Sequence, residues 1–311
     1  MNRRDFLGML GVGVVGLGAR VRPASAGGDR AFVERWSWAM GQPVHLQLYA
    51  ASEGAGYEAA QAALVELRRV EGVLSRFDDA SDLAELNRWA GRGPLAVGPD
   101  LVAVLRAALD FQRVTGGAFD SAVEPLMRAW GFHAPRSAPP TDAELAEARA
   151  AVRAAGIEIA GGRAALRGRT TQLDLGGIGV GYGLDRAAAV LRAAGIRRAF
   201  LDVSGDCLAI GAPPGRAGWR VEIAAPGRAG GTIGATSLRD AALATSSNLV
   251  SVVRYGRAVR GHVMDPATGW PAAGCRQVTV TARTGIEADA LSTAMLVGRR
   301  RYPGVLGAWV V

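Results

Sequence analysis

Apolar positions change their period near the middle of the chain. In the first half, Ala60, Leu64, Leu67, Val70 and Leu74 recur every three or four residues, which sets them on one stripe of a helix over 57–74. Ser75-Arg76-Phe77-Asp78 breaks that stripe, and Ser81 offers an N-cap for a short helix through Asn87. A helix over 99–114 opens on Pro99 and closes at Thr115-Gly116-Gly117, the placement that proline and glycine favour at helix ends. A short helical piece follows over 124–130, and Thr141-Asp142 cap another that runs to about Ala155. Ahead of all these, 36–50 reads as a strand whose later positions Val44, Leu46 and Leu48 alternate with polar residues.

The second half reads as strands separated by glycine turns. They fall over 164–166, 171–175, 199–203, 207–210, 219–223, 251–255 and 278–282, with helices over 182–194 and 287–296 between them. Helices first and hairpins later predict an α+β fold, not a doubly wound parallel sheet. The proline-rich run over 135–140 is the clearest internal linker.

The first 26 residues stand apart from this pattern. Arg3-Arg4 precede a mild, glycine-rich apolar run, and Ala24-Ser25-Ala26 has the small-x-small form of a cleavage site. Arg20 and Arg22 end the run before the roughly 18 residues a membrane helix needs. Export by the twin-arginine route to the periplasm, with cleavage after Ala26 and no anchor left behind, is the expectation. That cleavage removes four arginines and one aspartate and takes the formal charge from +8 to +5. The remaining arginines are scattered and not interleaved with aromatics, which speaks against a nucleic-acid surface. Cys207 and Cys275 form no disulfide framework and no metal spacing, although one bridge between them stays open.

Candidate chemistry concentrates in three places. Gln172–Ala188 reads QLDLGGIGVGYGLDRAA, with five glycines between Gly176 and Gly183. The spacing fits neither a dinucleotide fingerprint nor a Walker loop. It suits either backbone N–H groups facing an anion or close packing of a helix, with Asp185 then pairing with Arg186 or Arg192 at the surface. His262 stands in GHVMDPATG, at a strand end beside Asp265. It reads either as a general base or as a histidine packed beneath a turn that Asp265 caps. His45 and His133 read as structural or solvent-exposed. Asp289 and Thr293, four apart on one helix face, offer a carboxylate and a hydroxyl to a hard cation such as Mg²⁺. The alternative is a helix-start carboxylate against the macrodipole and a threonine bonded to its own backbone.

In series, these segments resemble the ApbE-type FAD:protein FMN transferase family. The resemblance rests on AMG at 39–41, SRFDDASDLAELN at 75–87, TGGAFDSAVEPLMRAWGF at 115–132, LDLGGIGVGYGLDRA at 173–187, the GHVMDPATG turn, and ADALSTAM at 288–295. It spans nearly all of the chain after the leader, so residues 30–311 are expected to form one catalytic domain. The resemblance implies an ApbE-type, T-fold-like α+β architecture, with helices packed on a mainly antiparallel sheet. It implies FAD as substrate, Mg²⁺, and transfer of FMN to a threonine of an acceptor protein, a respiratory or redox protein by analogy, with release of AMP. By motif position, Met40, Phe77, Ala118, Phe119, Asp120, Asp174, Val180 and Met264 fall at flavin-nucleotide contacts. Gly177 through its carbonyl, with Asp289 and Thr293, falls at the metal, and His262 at the base. Two positions depart from the family: Val180 replaces a Lys or Glu, and Ser246-Ser247-Asn248 replaces Ser-Gly-Asp. They keep a second reading open, that of an exported protein that binds FAD or hydrolyses it to FMN and AMP.

Overall fold

The computed structural model describes residues 31–133, 135–226 and 230–311, so the leader expected over the first 26 residues lies outside the described residues. In chain order the elements begin β1 (Ala31–Ala39), β2 (Gln42–Ala50), α1 (Glu53–Leu74), α2 (Asp82–Arg88), β3 (Leu95–Ala96), α3 (Pro99–Thr115), α4 (Glu124–Ala129) and α5 (Asp142–Arg153). They continue β4 (Ile157–Ala160), β5 (Arg163–Leu166), α6 (Gly179–Ala193), β6 (Arg198–Val203), β7 (Asp206–Ile210), β8 (Trp219–Ala224), β9 (Thr232–Leu238) and β10 (Ala241–Ser247). The last are β11 (Val252–Tyr255), β12 (Ala258–Gly261), β13 (Gln277–Ala282), α7 (Gly285–Gly298) and β14 (Gly307–Val310).

Seven strands form the central sheet in the order β1-β2-β6-β7-β10-β13-β14, and every pairing is antiparallel. Strict alternation sorts its two faces. Leu46 and Leu48 of β2, Leu201 and Val203 of β6, and Leu208 of β7 point to one face, where Leu64 and Leu67 of α1 and Leu184 and Leu191 of α6 cover them. Tyr49, Cys207 and Leu243 point to the other, under Trp219, Ile223 and Leu238 of the β8–β9 hairpin. A further cluster joins the end of α1 to α2, α3, α7 and β13 through Leu74, Leu86, Leu105, Leu291 and Val280. Each such leucine, fully buried, is worth about 1.5–3 kcal/mol. The α+β expectation holds. Among the described residues no helix is long and apolar enough to cross a membrane.

Two local readings change. The stretch 36–50 is two strands, turned at Met40-Gly41, both in the left-handed region at φ 57° and 66°. Met is a poor residue for that conformation, and the turn is held from outside: Glu71 of α1 accepts both backbone N–H groups at 2.8 Å. The segment 171–175 is irregular, not a strand. Its backbone partners are the Asn87 side chain, which brackets Leu173 at 2.8 and 2.9 Å, and the Ser121 carbonyl, which accepts from Asp174. The 135–140 run connects α4 to α5, whose Leu126 and Leu145 share one apolar cluster with Trp130 and Met264. Cys207 and Cys275 are both buried and free.

Candidate active site

The glycine stretch builds a helix crossing. None of Gly176, Gly177, Gly179, Gly181 and Gly183 has a positive φ, so turn freedom is not why they are glycines. At Gly181 a Cβ would strike the Gly285 carbonyl and approach the Asp289 Cβ to 2.8 Å. The first turns of α6 and α7 therefore touch backbone to backbone. Asp185 seals the contact, its carboxylate accepting from the N–H groups of Gly285 at 2.7 Å and Ile286 at 2.9 Å. This replaces the surface ion pair expected for Asp185. An anion at the N-terminus of α7 is favourable on electrostatic grounds as well.

That crossing buries Asp289, only 5% exposed, against the start of α6. Its Oδ2 accepts from the Gly181 N–H at 3.0 Å, and the Val180 backbone also holds it down. Burial outweighs both and pushes the carboxyl up to about 7. Asp206, half-buried, is pushed well up by burial and by the charge of Asp289. A carboxyl raised by burial whose charge also lifts a second acid is a place where a cation relieves the electrostatic cost. One turn along α7, Thr293 Oγ1 lies 3.0 Å from where a Gly177 Cβ would be, and 3.0 Å from Ser246 Oγ, which also meets Ser292 Oγ at 2.7 Å. Gly177, Asp289 and Thr293 are thus brought together by the crossing. Carboxylate, hydroxyl and carbonyl oxygens are the hard donors that Mg²⁺ takes, so the residues present fit the ion.

The loop carrying Gly177 has its other end at the histidine. Asp174 Oδ1 accepts from Gly176 N–H at 2.7 Å, and the Asp174 charge acts on His262. His262 is half-buried just after β12, and its Nδ1 is enclosed without a hydrogen-bond partner. Burial pushes the imidazole below its ordinary value, against the opposing pull of Asp174 and of the Ser251 backbone. A neutral ring with a free nitrogen is what a proton acceptor requires. Asp265 caps the following turn, accepting from Ala267 N–H at 2.9 Å.

Asn248 holds the histidine segment in place. Its Oδ1 accepts from Val263 N–H at 3.0 Å while its Nδ2 donates to the Ala272 carbonyl at 2.9 Å. A carboxylate can accept the first bond but cannot donate the second, so the departure from Ser-Gly-Asp has a structural role here. Val180, 8% exposed, turns its side chain into the α1–α6 core and contributes only backbone to the site.

The other predicted positions surround this centre unevenly. Phe119 is buried, with Cε2 3.6 Å from the Gly177 Cβ position. Ala118 is half-buried beside Gly298 of α7. Asp120, raised by burial, accepts from Gln112 Nε2 and from Ala122 N–H, both at 2.8 Å, within its own corner. Met40 packs against Gly183, and Met264 is buried in the Trp130 cluster. Phe77 is 82% exposed, an aromatic face left for a ligand. Sequence reasoning missed three charged neighbours of Asp174: Arg76, Glu124 and His133.

A seven-stranded antiparallel sheet with crossed helices that bring a carboxylate and a hydroxyl together defines an α+β protein. Residues 40–303 match the model of the ApbE family, and the chain belongs to that family. It is similar to the FAD:protein FMN transferase of Treponema pallidum, 31% identical over 323 residues, covering 96% of this chain and 87% of that protein. The enzyme of the same name from Rhodobacter capsulatus is 36% identical over 230 residues, 72% of this chain, which spans only 44% of that longer protein. Among solved structures, the ApbE protein of Thermotoga maritima superposes with a TM-score of 0.79 at 28% identity, covering 86% of this chain and 87% of that one. The flavin transferase ApbE of Vibrio cholerae gives 0.74 at 26%, with 86% and 87% covered.

Proposed function

We propose that this chain is a FAD:protein FMN transferase that works with Mg²⁺, joins FMN through a phosphoester to an acceptor threonine, releases AMP, and acts in the periplasm. The observation that carries the reading is the loop from Asp174 to Gly177, which acts on His262 at one end and meets Thr293 at the other. Names of the curated relatives support the activity, and the leader motif supports export.

In this reading the isoalloxazine side of FAD rests near exposed Phe77 and the pyrophosphate lies over the Gly177–Asp289–Thr293 oxygens. Mg²⁺, when bound, supplies charge stabilisation to the pyrophosphate and to the AMP leaving group. His262 takes the proton of the threonine hydroxyl as its oxygen attacks the flavin-side phosphorus, and the bond from that phosphorus to the AMP oxygen breaks. Val180 and Asn248 give the hydrolytic alternative little support, because each has a structural role that leaves the centre complete.

Separating the nucleotide products decides between the two. Mature protein with FAD, Mg²⁺ and an acceptor domain is expected to release AMP in step with acceptor-bound flavin and without free FMN. Equimolar AMP and free FMN, with no flavin on the acceptor, would establish hydrolysis instead.

A further inference from the structure

Arg76, Glu124 and His133 form one ionic cluster with Asp174. Glu124, at the start of α4, is 1% exposed. Its Oε1 accepts from Arg76 Nη2 at 2.8 Å and Arg128 Nη2 at 3.2 Å, and its Oε2 lies 2.8 Å from His133 Nδ1, an ionic contact outside hydrogen-bond geometry. The same two bases reach toward Asp174 Oδ2 at longer range: Arg76 Nε at 3.8 Å and His133 Nε2 at 3.9 Å. Those separations are too long for direct hydrogen bonds. Arg76 and His133 thus stand between two carboxylates, close to that of Glu124 and apart from that of Asp174, whose charge acts on His262. Phe77 lies alongside the cluster, its ring 4.7 Å from the Arg76 guanidinium carbon and 6.2 Å from the His133 ring.

Donor atoms of Glu124, His133 and Asp174 all lie within 4.8 Å of one another, a span that a divalent ion can bridge. The Arg76 guanidinium, permanently charged, already supplies the positive charge there and opposes a second cation. The cluster is better understood as a device acting on Asp174.

We propose that Glu124 is a positioning residue for transfer: by drawing Arg76 and His133 to itself, it leaves the Asp174 carboxylate free to act on His262. The effect on transfer rests on the reading of His262 as the base; the effect on the imidazole does not. The groups that act on His262 are Asp174 and the Ser251 backbone. Those facing Asp174 are Arg76 and His133, and those facing Glu124 are Arg76, Arg128 and His133. If the charge at Glu124 is lost, Arg76 is released. Its Nε and Nη1, enclosed without hydrogen-bond partners, then close on Asp174 and screen it, and His262 holds its proton less well. His133 loses a partner in the same change, but Arg76 cannot deprotonate and therefore sets the sign.

The chain has three histidines, so an imidazole NMR titration of the mature protein with Mg²⁺ resolves each, with H45Q and H133Q fixing the assignment. Glu124→Gln is expected to move the His262 midpoint down by about 0.5–1 pH unit, and Arg76→Gln to move it up by a similar amount, as opposite charges within a few ångströms do. The acid limb of transfer is expected to follow both shifts. Opposite signs cannot arise from loosened packing alone, and Arg76→Gln tests the idea by itself if Glu124→Gln does not fold. An unmoved midpoint in Arg76→Gln, or shifts of one sign in both variants, would overturn the proposal. So would stoichiometric Mn²⁺ broadening the His133 resonance, which would make the cluster a metal site.

Discussion

His262→Ala is expected to lower FMN transfer by about 10²–10⁴-fold, the range for loss of a positioned general base, while FAD remains bound. The two halves of this result have separate causes. In the proposed reading FAD rests on surfaces that do not include the imidazole: exposed Phe77, the Phe119 corner and the oxygens of Gly177, Asp289 and Thr293. The histidine segment itself stays in place, because Asn248 bonds the backbone of Val263 and Ala272 and not the ring. What the substitution removes is the acceptor for the threonine proton. The wild-type rate is expected to rise with pH through the His262 midpoint, which burial places below the ordinary histidine value; the variant loses that limb. Single-turnover transfer, measured beside FAD retention on gel filtration, checks both. A variant that transfers normally removes His262 from the mechanism.

Asp289→Asn is expected to abolish the response to Mg²⁺ and to reduce transfer by at least about 100-fold, since even indirect metal partners cost 10–100-fold. The amide keeps the shape and can still accept from Gly181 N–H, so loss of fold is not the cause. The same variant changes stability in a direction fixed by the titration. In the metal-free wild type the Asp289 carboxyl is pushed up to about 7, above its unfolded value near 3.8. A raised group contributes stability that is fully present below the unfolded value and is lost as pH rises through the folded one. Metal-free wild-type protein should therefore melt lower at pH 8 than at pH 5, and Asp206, raised by burial and by the Asp289 charge, adds to the decline. Mg²⁺ should restore more at pH 8 than at pH 5. Asp289→Asn should flatten the pH dependence and ignore Mg²⁺. Equal Mg²⁺ stabilisation of variant and wild type would place the metal elsewhere.

Much of this arrangement was legible because it is local. The α1 stripe, the Ser81 and Thr141 caps, and the Asp289–Thr293 spacing depend on residues a few positions apart, and each holds in the structure. The remainder depends on partners distant in sequence. Met40-Gly41 turns only because Glu71 on α1 reaches it. The segment 171–175 looks like a strand in its apolar alternation, but its backbone is taken by Asn87. Asp185 looks like a surface acid and is instead the cap of a helix 100 residues away. The strand β10, rich in Ala, Thr and Ser, carries no strong strand signal, yet its small residues leave Ser246 beside Ser292 and Thr293 of α7. Glu124 and His133 follow no helical or strand period relative to each other. The one hint was a glutamate at the opening of a short, mostly apolar helix.

The measurement that bears most directly on the account is intact mass spectrometry of an acceptor domain carrying a target threonine, incubated with the mature chain and FAD, with Mg²⁺ or with a chelator. The predicted result is a gain of one FMN that requires Mg²⁺ and disappears when the acceptor threonine is replaced by alanine. A gain that survives chelation would contradict the metal site at Gly177, Asp289 and Thr293. FAD retention without any gain, across several acceptor domains, would contradict the transferase itself.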